Sequence, residues 1–270
     1  MEISEKKRTL LCQTGKLKFM KRYIYGIVSL LLFVLPAAAF GQQTGTADGS
    51  SSAVNRAATV VHTPRSEWLG GFSGISINGR LHVHLVKNAV DEGPRITYDT
   101  KGEASKFKAS VDRSGILKVE EPADAKRTTV TEVTIWCNDI SSLSVNGADL
   151  TFERPVSGRM FDLEVSGGAN VTARLEVSDL AVSATGRSSI VIDGSAKYMT
   201  LDISTAKFDG TDFHTVSSVV DASHSAEVRI AVSERLQGTT STSATIFYKG
   251  EPELVRFRTT MFGGDITPLP

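Results

Sequence analysis

The chain reads as an all-β protein, a parallel β-helix of roughly 18–21 residues per turn, and three features of the sequence predict it. Apolar residues recur at every second position, corners of small residues interrupt them, and the interval between corners is nearly constant. Between Leu143 and Tyr248 one short unit is written six times. The first apolar residue past each corner is Leu150, Val171, Ile190, Phe208, Val228 and Ile246, at spacings of 21, 19, 18, 20 and 18. Such a period marks a solenoid.

The alternation in Leu180, Val182 and Ala184, or Leu201 and Ile203, is that of a half-buried strand, whereas a helix needs a period of 3.6. Asn146-Gly147, Gly167-Gly168, Thr185-Gly186, Asp193-Gly194 and Asp209-Gly210 supply residues that tolerate tight or left-handed backbone, and are expected to be corners. One such rung buries too few apolar groups to offset the entropy of ordering it, so rungs are stable only when stacked. Taken alone, the spacing also fits an antiparallel sandwich of short strands.

Ahead of the repeat, Lys21-Arg22 runs into the apolar stretch Ile24–Leu35 and then small residues up to Gln42. This predicts a secretory signal peptide over 1–41, with Met20 as an alternative start. A stretch of about a dozen apolar residues is shorter than the roughly 20 that span a bilayer, so no membrane span is expected after cleavage. Residues 42–66, poor in large apolar groups, read as a flexible leader, and 67–270 as the β-helix domain with its repeat rungs at 143–248.

Composition narrows the function classes. The chain is 40% hydrophobic and 7% aromatic, with 30 basic and 30 acidic residues. Losing the seven basic and two acidic residues of 1–41 leaves 23 against 28, a mildly acidic protein with no basic stripe for nucleic acid. Cys12 would leave with the signal peptide, and Cys137, next to Trp136, is expected to be a buried free thiol.

Within 67–270, Ile75, Ile77, Leu81, Val83 and Leu85 are predicted to face inward around Asn78-Gly79, with His82 and His84 outward. Two histidines at i and i+2 suit either a metal or a solvated face, and no third ligand lies in the same strand. Strand-like runs at Arg95–Tyr98, Phe107–Val111, Ile116–Val119 and Val130–Trp136 form either opening turns or a cap, and Glu121–Arg127 reads as a charged loop. The tail from Leu254 is expected to close the far end.

Phe72-Ser-Gly-Ile-Ser-Ile-Asn-Gly, Ile140-Ser-Ser-Leu-Ser-Val-Asn-Gly-Ala-Asp-Leu, the Ser166-Gly-Gly-Ala-Asn-Val corner and Tyr248-Lys-Gly-Glu-Pro resemble the head GIN domain family, also called putative auto-transporter adhesins, from about Phe72 to Ile266. The resemblance implies a right-handed parallel β-helix of exported proteins, mostly of Bacteroidetes, with no established active site. The chain departs from the family's Gly-rich corners at Thr205-Ala206 and His224-Ser225.

The outward residues ahead of the aligned apolar positions are Asp149, Asn170, Ser189, Lys207, Glu227 and Thr245, a mixed column without clustered acid. Hence no catalytic, cofactor-binding or metal residue is assigned, and no cofactor is expected. The function expected is that of an exported, non-catalytic solenoid in the periplasm or at the cell surface, presenting a polar face to a glycan or an envelope or surface protein. A polysaccharide-active enzyme with Asp149 or Glu227 at its centre is the alternative, and a structural or signalling role in the envelope the third.

Overall fold

The computed structural model describes residues 63–88, 92–260 and 262–270, all within one unit, Ala58–Pro270. The expected signal peptide, and the expected leader as far as residue 62, lie outside the described residues. Strand pairing starts at Arg65, just ahead of the boundary at 67.

The first strands in the chain are β1 (Arg65–Trp68), β2 (Gly74–Gly79), β3 (Leu81–Lys87), β4 (Arg95–Asp99), β5 (Lys108–Val111), β6 (Ile116–Glu121) and β7 (Thr131–Cys137). The repeat follows as β8 (Ser142–Asn146), β9 (Asp149–Phe152), β10 (Val156–Ser166), β11 (Asn170–Ala184), β12 (Ser189–Ser204), β13 (Lys207–Ser223) and β14 (Glu227–Thr240). It closes with β15 (Ala244–Lys249), β16 (Leu254–Thr259) and β17 (Gly264–Pro268). The long strands bend round the solenoid, so a single strand such as β11 contributes to successive walls.

From β8 onward the walls pair in parallel, one turn upon the next, which excludes the antiparallel sandwich. The aligned apolar residues fall into register: Leu150 opposite Val171, then Ile190, Phe208, Val228 and Ile246, and all six are buried. On what we call the first wall, Leu143, Leu163, Val182, Leu201 and Val220 form a second column. The mixed outward column lies on the second wall. Like residues stack because every turn places the same strand position over the last, and each aliphatic seam is completed by its neighbours.

The N-terminal runs are both opening turns and a cap, and they are stacked out of sequence order. β2 lies between β6 and β8, with Ile75 opposite both Leu117 and Leu143, and β3 lies between β7 and β9, with Val83 opposite both Val133 and Leu150. The turn β6–β7 is therefore outermost although it comes later in the chain. Beyond it the pairing turns antiparallel: β5 covers the edge of β6, β4 that of β7, and β1 that of β4. Both edges of the outermost turn are covered in this way.

The charged loop after β6 folds inward and is more than a solvated turn. Arg127, with its side chain only 10% exposed, pairs with the buried Glu121 and donates to Thr131 Oγ1 at 3.0 Å. It also meets Glu103 at 3.4 Å, while Ser105 donates to Glu121. These bonds tie the segments before and after β6 to the same carboxylate.

The corners show why glycine is dispensable at some turns. Thr205, His224 and Ser225 take left-handed φ of 56°, 53° and 61°, the conformation that Gly167 takes at 67° two and three turns earlier. The corner is imposed by the ladders on either side, and the Cβ strain is offset by stacking. Asp193-Gly194 and Asp209-Gly210 lie within β12 and β13. Gly194 is a sharp bend, at φ 117°, where a Cβ would sit 2.0 Å from the Leu175 carbonyl oxygen. Gly210 has no left-handed φ; a Cβ there would press on the Phe208 ring at 2.9 Å, so the residue makes room for that ring.

The far end departs from expectation. The tail does not fold over the opening: β16 and β17 continue the two walls in parallel as one more turn. Apolar Val255 and Phe257 simply extend the inward columns, because nothing in the alternation distinguishes a last rung from a middle one.

Gly194→Ala is expected to cost upward of about 2 kcal/mol, while Thr205→Gly is neutral or raises the midpoint by a few degrees, both read by thermal unfolding. Arg127→Ala leaves Glu121 buried without its partner and is expected to cost about 3–5 kcal/mol in urea unfolding.

Candidate functional site

The second wall carries the outward column seen in the sequence, in the expected register and extended by Glu132 and His82 at one end and Asp265 at the other. Its polar groups largely satisfy one another. His82 Nε2 lies 3.3 Å from Asp149 Oδ2, and Asn170 Nδ2 donates to Asp149 Oδ1 at 2.7 Å. Glu227 is 3.8 Å from Lys207 Nζ and 2.8 Å from Arg229 Nη2. Asp149 and Glu227 stand four strand spacings apart, about 19 Å, too far to act on one glycosidic bond. His84 is outward as expected, with Nδ1 3.9 Å from Glu153. Among the described residues no three His, Cys, Asp or Glu side chains gather as a metal site.

Cys137 is buried, as the apolar neighbourhood of its strand requires. Burial pushes its thiol up to about 11, with Lys87 pulling the other way, so at neutral pH it stands as the protonated thiol. The adjoining Trp136 packs under the Arg95 guanidinium at 4.3 Å.

A groove of about 570 Å³ crosses the first wall instead. Its floor is built where consecutive turns place small side chains outward: Ser76 opposite Ser144, then Glu164 and Ser183, and in the next column Ser142, Asp162 and Ala181. Short side chains lower the wall between its bulkier margins. Ile116 closes one end, and Asp202 borders the other. Asp221 follows Asp202 on the next turn. On the strand that brings Thr200 to the groove, Tyr198 lies two residues earlier on the same outward side and is 58% exposed; Met160, in the same column, is 56% exposed.

The carboxylates here join no ion pair among the described residues, unlike Asp149 and Glu227 of the second wall. Glu164 accepts from Ser144 Oγ at 3.2 Å, and Asp162, Asp202 and Asp221 join no ion pair among the described residues. An alignment on the residues before Leu150 and its equivalents alone leaves this wall out of view. Its signal was present as acids at outward positions of the preceding arm, Asp162, Glu164, Asp202 and Asp221, and became visible once that arm was put in register. Asp202 and Asp221 are one strand spacing apart, about 4.8 Å, but both side chains stand in water with nothing to set one apart as an acid.

Fold and surface together define a class: a parallel β-solenoid with a continuous, mainly apolar core and broad polar outer walls, one of them grooved and acidic. Among the described residues no helix is long and apolar enough to cross a membrane. The chain belongs to the family described as putative auto-transporter adhesin, head GIN domain, whose sequence profile matches residues 71–252. A search of curated proteins finds no match.

Among solved structures the chain is similar to a putative adhesin from Bacteroides fragilis, at TM-score 0.71 and 14% identity, and to one from Parabacteroides merdae, at 0.61 and 16%. It is also similar to a putative lipid binding protein from Parabacteroides distasonis, at 0.59 and 14%. Each comparison covers 78% of this chain and 98% of the other. At such identities the likeness is one of fold.

The Cys137 thiol is expected to resist alkylation at pH 8 in the native protein and to react at once in urea, followed by the mass of the peptide that carries it.

Proposed function

We propose that the protein is an exported, non-catalytic binding module that lays an extended hydroxyl-rich polymer, a neutral or amino-bearing glycan, along the first wall. The groove carries this reading. Its serine floor offers donors and acceptors at the repeat of the strands, its free carboxylates accept hydrogen bonds from hydroxyls or pair with amino groups, and Tyr198 offers a ring face for a sugar to stack on. Acidic polymers are disfavoured by Asp162, Glu164, Asp202 and Asp221. Affinity comes from many weak contacts on a rigid ladder.

Membership of an adhesin-like family supports export and surface binding, and the signal-like segment at 1–41 supplies the route across the first membrane. The enzymatic alternative rests on the Asp202 and Asp221 neighbours, whose spacing suits a retaining pair. Their exposure leaves neither carboxyl in the water-poor setting that a general acid needs.

A glycan array combined with an assay for released reducing ends tests the proposal. Binding without turnover is expected, weakened at least about tenfold by Tyr198→Ala or by Asp162→Asn with Asp202→Asn, a loss of about 1.4 kcal/mol or more. Asp149→Asn and Glu227→Gln, on the second wall, should leave it unchanged. Turnover abolished by Asp202→Asn would establish the enzyme instead, and silence on every glycan would remove the glycan reading.

A further inference from the structure

The two ends of the solenoid are finished differently. At the N-terminal end antiparallel strands cover the edges of the outermost turn, whereas β16 pairs with β14 on one side and with no described strand on the other. The edge so left runs over six residues, lacks proline between Leu254 and Thr259, and presents backbone donors and acceptors in a row.

Its side chains specify what would complete it. Val255 and Phe257 point into the core columns, yet remain 37% and 43% exposed, while Leu236, directly beneath Val255, is fully buried. Gly238 lies beneath Phe257, and a Cβ there would meet the ring at 3.2 Å, so the ring already rests on the turn below and lacks cover only from above. A strand laid on β16 therefore needs apolar residues at its inward positions. On the outer side of the same strand stand Arg256 and Arg258, with Arg235 one turn below. All three are exposed, and none joins an ion pair among the described residues. Outward positions of the added strand should be acidic.

We propose that the β16 edge is a docking site for an extended peptide segment of a partner protein in which acidic and apolar residues alternate, added as one further strand. Main-chain bonds continue the ladder, the apolar positions cover Val255 and Phe257, and the acids meet Arg256 and Arg258. A second copy of this chain fits poorly. Antiparallel pairing of β16 with itself, centred on Phe257, sets Arg256 beside Arg258 of the other strand. The β5 edge at the opposite end presents Lys108, again a like charge.

The test uses the purified protein and two labelled, end-blocked hexapeptides, one alternating Glu with Val and one alternating Lys with Val, followed by fluorescence anisotropy. The Glu peptide should bind at least tenfold more tightly than the Lys peptide. Arg256→Glu with Arg258→Glu, both surface changes checked by circular dichroism, should reverse the preference. Phe257→Ser should weaken the Glu peptide without reversing it. Equal binding of the two peptides, no binding, an unreversed preference, or self-association through this edge in sedimentation that the charge variants abolish would each overturn the proposal.

Discussion

The structure depends on one constraint: each turn of chain must set its inward side chains on those of the turn below while its backbone bonds to the same turn. Neither half suffices alone. The ladder satisfies peptide groups that would otherwise be buried unpaired, and the aliphatic columns supply the net drive, since hydrogen bonding largely exchanges one partner for another. The column from Val83 through Leu150, Val171 and Ile190 to Ile246 shows both at work. It also explains how Thr205, His224 and Ser225 are held in backbone that their side chains resist.

The same constraint frees the outside. Because inward positions alone carry the core, alternate residues on each wall can vary without disturbing the fold. On the second wall that freedom has produced a ladder of mutually satisfied groups, Asp149 with His82 and Asn170, Glu227 with Lys207 and Arg229. On the first wall it has produced small floor residues, an exposed Tyr198 and free carboxylates. Two walls built on one rule thus differ in what they offer a ligand, and the difference lies in unspent hydrogen-bonding and charge capacity rather than in shape alone.

The ends obey the ladder too, in contrasting ways. Inserting β2 and β3 between β6–β7 and β8–β9 gives that first turn a parallel neighbour on both sides, where a terminal repeat has one on a single side. Arg127 and Glu121 fasten the connection that makes this possible. The C-terminal end, extended by one plain turn, keeps an edge that no described strand pairs with and a half-covered apolar layer.

Local chemistry determined a good deal in advance. Period-two alternation and the 18–21-residue interval specified short strands, the inward column, and the outward places of His82, His84 and Asp149, because a strand's facing is a property of neighbouring residues, while the choice of parallel rungs over an antiparallel sandwich came from the pairing. A buried Cys137 followed from its apolar surroundings in the same way. Tertiary structure alone decided the stacking order of the first turns, the inward turn of Arg127, and the meeting of Ser76, Ser144, Glu164, Ser183 and Asp202 in one groove. Those depend on which strand lies beside which, and pairing between segments tens of residues apart leaves no periodic trace along the chain.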